Sequence, residues 1–148
     1  MIKIINGNLL NATEQVIGHQ VNCMGYMGAG VALQLRNKHP DMYNTYKLRC
    51  ISDNLCLGNT HLYQIDNGQY IANIFGQHKI GRGRQTNYGS LGLAIHDLKK
   101  QMNEKELTSL ALPYMMGCGL GGGSWDIVYG IIENCFENSE IDVALYKI

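Results

Sequence analysis

The stretch Ser109-Leu110-Ala111-Leu112-Pro113, followed three residues later by Gly117-Cys118-Gly119-Leu120-Gly121-Gly122-Gly123-Ser124-Trp125, decides the fold. The short apolar run closed by proline reads as a strand. Beyond the glycines, Val128, Ile131, Ile132 and Cys135 recur at spacings of three and four, which predicts a helix over Trp125–Phe136 with Ser124 as its cap. Five glycines in seven positions cost more chain entropy than a connecting turn requires. Such a loop, entering a helix, can wrap an oxyanion with backbone N–H groups.

The same order occurs earlier in the chain. A strand over Val16–Cys23 runs into Met24-Gly25-Tyr26-Met27-Gly28-Ala29-Gly30 and then into a helix over Val31–Lys38. Gly28 and Gly30 let backbone approach a ligand, and the free N–H groups of the helix's first turn favour phosphate. Further strands are expected over Ile2–Ile5, Thr60–Ile65, Tyr70–Phe75 and Asp142–Tyr146. Further helices are expected over Ser90–Met102 and from Asp41, as cap, to about Cys50. Strands alternating with helices predict an α/β layer fold with a mixed, mainly parallel sheet, whose ligands bind beyond the strands' carboxyl ends.

A third segment at a strand's carboxyl end, Gly76-Gln77-His78-Lys79-Ile80-Gly81-Arg82-Gly83-Arg84-Gln85-Thr86, carries cations and no acid. It reads either as a solvated basic loop or as a mobile cover that brings positive charge to a terminal phosphate.

Composition bounds the rest. The 148 residues, with no repeat or linker, make one domain over 1–148, large enough to hold a core without disulfides. Twelve Lys+Arg balance twelve Asp+Glu, so no global field attracts nucleic acid or membrane, and phosphate affinity must be local. No apolar run approaches the ~18 residues that span a bilayer and no signal-type segment opens the chain, so the expectation is a cytoplasmic protein without membrane contact. The cysteines Cys23, Cys50, Cys56, Cys118 and Cys135 lack metal-site spacing and fit mostly buried, reduced thiols. No Cys is followed six residues later by Arg, no HExxH or G-x-S-x-G occurs, and no GK[ST] follows either glycine loop. These absences exclude cysteine-phosphatase, zincin, serine-hydrolase-elbow and P-loop chemistry, and no metal or cofactor is expected.

Together, Gly7-Asn8-Leu9, Val21-Asn22-Cys23, Met27-Gly28-Ala29-Gly30-Val31-Ala32-Leu33, Pro113, Gly117-Cys118-Gly119-Leu120-Gly121-Gly122 and Trp125 resemble the macro domain family. The likeness is nearest to its small branch of ADP-ribose 1″-phosphate phosphatases and terminal ADP-ribose glycohydrolases, including DNA-directed antitoxins. It implies a three-layer α/β/α sandwich, and ADP-ribose or a derivative as ligand, free or attached to a macromolecule, bound to a monomer. By this resemblance Asn8 and Leu9 would meet the adenine and Tyr146 would stack on it. Gly28, Ala29, Gly30 and Val31 would face the distal ribose and diphosphate, and Gly117, Cys118, Gly119, Leu120, Gly121 and Gly122 would clamp the diphosphate. Asn22 would orient the distal ribose and, with His78 and Lys79, form the catalytic set.

The sequence also departs from the family. Asn8 stands where Asp is usual, Gln77 where glycohydrolases carry Lys, and Gly121 where the protein-linked glycohydrolases carry Asp. The basic segment and the glycine at 121 tilt the expectation toward a metal-independent phosphatase acting at the distal ribose. The alternatives are a glycohydrolase removing mono-ADP-ribose and a reader without turnover.

Overall fold

Why the strands stop where they do is visible at β2 (Val16–Val21). Asn22 ends it by turning its side chain back onto the following loop, so pairing stops two residues earlier than the apolar run suggests. The computed structural model describes residues 1–52 and 56–148. Besides β2, its strands are β1 (Ile2–Asn6), β3 (Thr60–Gln64), β4 (Tyr70–Phe75), β5 (Ser109–Pro113) and β6 (Asp142–Lys147). Its helices are α1 (Gly30–Lys38), α2 (Pro40–Ser52), α3 (Tyr88–Glu104) and α4 (Trp125–Phe136). These bounds lie within two residues of those expected from the sequence.

The strands form one sheet in the order β1-β6-β5-β2-β4-β3, parallel throughout except for the β3–β4 pair. One face carries α3 and α4 over an apolar core of Val16, Ile74, Leu91, Ile95, Leu98, Leu112, Val128, Ile132 and Phe136. The other carries α1 and α2 over Ile17, Val21, Met27, Leu35, Met42, Tyr46, Ile71 and Phe75. Period-two alternation along β2 sends Val16 to the first core and Ile17 to the second. The three-layer α/β/α sandwich with a mixed, mainly parallel sheet is thus the observed architecture. No helix among the described residues is long and apolar enough to cross a membrane.

Two expected caps are corrected. Pro40, not Asp41, opens α2, because proline's fixed φ suits the first turn, and Asp41 lies inside that turn. Ser124 occupies the cap position of α4, but its side chain makes no capping bond. Its N–H donates to the Tyr88 hydroxyl at 2.9 Å instead.

The sheet opens at one place. β2 and β4 pair along their whole length, whereas β2 and β5 pair only at Val16–Leu110 and Ile17–Ala111. Beyond that point the chain proceeds to β4 on one side and to β5 and β6 on the other. The strand order therefore reverses there, which is the position where sheets of this kind take ligands in a crevice at the carboxyl edge.

Candidate functional site

Both glycine loops sit at this carboxyl edge, one after β2 and one after β5. Among the described residues, the N–H groups of Gly28, Ala29, Gly30, Val31 and Ala32 have no partner within the chain; the first helical bond of α1 is Leu33 N–H to Ala29 O. On the loop after β5, the N–H groups of Gly119, Leu120 and Gly121 are likewise unpartnered. Space above Gly28, Gly30 and Gly119 is open. Free backbone donors of this kind, one set of them at a helix N-terminus, have the chemistry that takes up an anion with several oxygens.

The second loop holds its shape through Gly123 N–H to Gly117 O at 2.8 Å and Gly122 N–H to Gly119 O at 3.0 Å. Gly117 and Gly122 have φ of +76° and +70°, a region that disfavours other residues.

Asn22 organises the first loop. Its Oδ1 accepts from Met24 N–H at 3.0 Å and Tyr26 N–H at 3.2 Å, and its Nδ2 donates to Tyr26 O at 2.8 Å. The buried Tyr46 hydroxyl lies 2.7 Å from Asn22 O and 3.0 Å from its Oδ1. Asn22 Oδ1 is therefore engaged by the protein's own N–H groups. One amide hydrogen remains, and the role the geometry gives Asn22 is positioning.

The basic segment is not the free cover that its composition allowed. Gln77 and Thr86 close its stem, and His78 O accepts from Cys23 N–H at 3.0 Å. On the other side Gln85 N–H and Thr86 N–H donate to Gly121 O at 2.8 and 3.0 Å. The Arg84 guanidinium lies 4.8 Å over the Tyr88 ring. The hairpin is thus tied to both glycine loops, while the side chains of His78 and Lys79 are exposed at the edge.

The other expected contacts fare unevenly. Leu9 is buried at 4% exposure in the α1/α2 core, so its side chain is unavailable to a ligand. Asn8 Oδ1 accepts from Leu10 N–H at 3.0 Å, which commits its carbonyl and leaves its amide N–H groups to a base. Tyr146, half-buried, packs its ring beside Gly7 and bonds Glu14 Oε1 at 2.6 Å. Burial and that carboxylate push its hydroxyl up to about 12. Cys118 is half-buried and Leu120 is 79% exposed at the loop tip. Burial raises the thiols of Cys23, Cys50, Cys118 and Cys135, which makes them poor nucleophiles.

Sequence reasoning missed a buried polar chain beneath the first loop. His19 Nε2 donates to Asn73 Oδ1 at 2.7 Å, and Asn73 Nδ2 donates to His61 Nδ1 at 3.1 Å. Burial lowers both imidazoles to about 4, so both rings are neutral. Polar residues inside apolar strands were the available signal. No group of three or more metal-ligating side chains occurs among the described residues.

Comparison with known proteins agrees with this geometry. The sequence model of the macro domain family matches residues 19–132, which include both glycine loops. A DNA ADP-ribosyl glycohydrolase of Thermus aquaticus is 31% identical over 151 residues, covering 99% of this chain and 41% of that relative. The chain thus spans about two fifths of that protein's length. An uncharacterized 17.5 kDa protein of Enterobacteria phage T4 is 29% identical over 150 residues and is covered over 96% of its length. The solved macrodomain of Mycobacterium tuberculosis DarG is 26% identical with a TM-score of 0.90, over all of this chain and 98% of that one. A family match over residues 19–132, more than half of the chain and including both glycine loops, makes this chain a member of the macro domain family.

Proposed function

We propose that the chain binds ADP-ribose in the carboxyl-edge crevice and hydrolyses the bond joining its distal ribose to a macromolecule, with modified DNA the first substrate to test. The observation that carries this reading is the presence of two sets of unpartnered N–H groups, at Gly28–Ala32 and at Gly119–Gly121, on the loops that follow β2 and β5, the two strands that part at the carboxyl edge. A diphosphate offers oxygens to both sets at once and holds the attached ribose at the crevice mouth. Likeness to a DNA ADP-ribosyl glycohydrolase along 99% of the chain supports the nature of the bond.

In this reaction the C1″ glycosidic bond breaks, the water oxygen bonds to C1″, and the water's proton passes to the leaving group. Fixed donors at the diphosphate orient the ribose, and positioning of this kind supplies rate without a covalent nucleophile. In this reading His78 and Lys79, exposed on the hairpin that is tied to both loops, stabilise charge on the departing or attacking oxygen. Asn22 acts by holding residues 24–26.

A second reading, removal of a 1″-phosphate, is favoured by the cations Lys79, Arg82 and Arg84 without a neighbouring acid and by glycine at 121. One experiment separates them. The protein is incubated with mono-ADP-ribosylated DNA and, in parallel, with ADP-ribose 1″-phosphate, following free ADP-ribose and phosphate. Free ADP-ribose from DNA, reduced in Lys79→Ala, supports the first reading, whereas phosphate release alone supports the second. Tight ADP-ribose binding with no product from either defines a reader.

A further inference from the structure

Gln20 lies on β2 where the strand passes under both loops, and nothing in the proposed chemistry uses it. Its Nε2 donates to Gln77 Oε1 at 2.8 Å and to Thr86 Oγ1 at 2.9 Å, the two residues that close the stem of the basic hairpin. Thr86 Oγ1 passes the connection on, donating to Gly117 O at 2.8 Å. Gln77 Nε2 donates to Lys79 O at 2.8 Å, so the same node reaches the cationic arm of the hairpin. One amide thus joins the hairpin to the loop that faces the crevice.

The surrounding glycines are shaped to this node. A Cβ at Gly76 would stand 2.5 Å from Gln20 Oε1, and one at Gly117 would stand 3.0 Å from it. A Cβ at Gly121 would come within 2.6 Å of Thr86 Oγ1. Three chain segments therefore close on a polar side chain where apolar packing would serve stability better. Gln20 Oε1 is buried and has no hydrogen-bond partner, a cost that a purely structural residue has no reason to carry.

We infer that Gln20 is a positioning residue, which with Thr86 latches the basic hairpin 77–86 to the loop 117–123 and so sets Lys79 and Arg82 in register with a ligand held by that loop. The catalytic half of this inference rests on the function proposed above; the latch itself does not. Met at position 20 matches the length of Gln without its donor or its orphaned acceptor. Thr86→Val removes the hydroxyl, and Thr86→Ser keeps it.

The test is amide hydrogen exchange on the ligand-free protein, read at Cys23, Gln85 and Thr86, whose N–H groups tie the hairpin down. In Gln20→Met and in Thr86→Val, exchange at these amides is expected to quicken about tenfold, with α3 and α4 unchanged and Thr86→Ser like the parent. Turnover gives the second readout. In the Gln20→Met background kcat falls, and Lys79→Ala costs less than it does in the parent, because the ammonium is already out of register. Unchanged exchange at Gln85 and Thr86 in both Gln20→Met and Thr86→Val overturns the latch. Additive effects of Gln20→Met and Lys79→Ala on kcat overturn its catalytic role. A parent protein that turns over neither substrate counts against the proposed function alone, and the exchange data then decide the latch.

Discussion

The two edges of the sheet meet the same problem, strand ends with backbone groups to satisfy, and solve it in opposite ways. At the amino edge, glutamines close the backbone. Gln15 Oε1 accepts from Thr108 N–H at 2.8 Å and Ser109 N–H at 3.2 Å, and Gln69 Nε2 donates to Ala12 O and Glu14 O at 2.9 and 2.8 Å. At the carboxyl edge, glycines keep the N–H groups of 28–32 and 119–121 free, and side chains such as Asn22 and Gln20 are spent on holding loops in shape. Hollows of about 330 and 420 Å³ also lie at the amino edge, around Lys38 and Asn67. Open space alone therefore does not mark a candidate site, whereas unpaired backbone donors at the strands' carboxyl ends do.

The largest expected effect lies between the edges, in the His19–Asn73–His61 chain. Both rings are neutral when folded, with pKa values of about 4, while an unfolded chain binds protons near 6.5. Between those values the unfolded state holds more protons, so stability rises with pH and is lost as pH falls from about 6.5 toward 4. The loss at pH 5 is about 2 kcal/mol per ring, read as a lower urea midpoint, and His19→Leu with His61→Leu should flatten the profile. A flat profile in the parent would show that these two rings are not held neutral in the folded protein.

Gly121→Val comes next. Its side chain would strike Thr86 Oγ1 and Gly117 O, and ADP-ribose affinity should fall on the order of 100-fold, about 3 kcal/mol, by calorimetry. Retained affinity would mean that the second loop is a connector like those of the amino edge. Tyr46→Phe removes the hydroxyl from Asn22 and should cost about 1–2 kcal/mol of stability, with weaker ligand binding through loop 24–26. Smallest is Gln15→Ala, which should lower stability by about 1 kcal/mol and leave binding untouched. A binding defect there would erase the contrast between the edges.

The architecture was legible because its signals are local. Leu91, Ile95, Leu98 and Met102 mark α3 by spacing, and the glycines of 117–123 mark a backbone site without reference to any partner. The ordering of the site was not legible, because it depends on pairs far apart in sequence. Gln20 meets Thr86 and Asn22 meets Tyr46, and neither spacing leaves a periodic trace. Leu9 and Asn22 show the other limit, since a residue type suited to a ligand is equally suited to a core or to a loop's own backbone. His19 and Gln20 gave a usable hint as consecutive polar residues inside an apolar strand.

If free backbone donors of both glycine loops hold one ligand, an amide-resolved NMR titration with ADP-ribose shows it. The N–H signals of Gly28–Ala32 and Gly119–Gly121 are expected to move together along a single binding curve, while Asn67 and Gln69 stay fixed. Shifts confined to the Lys38–Asn67 hollow, or in one loop without the other, would contradict it.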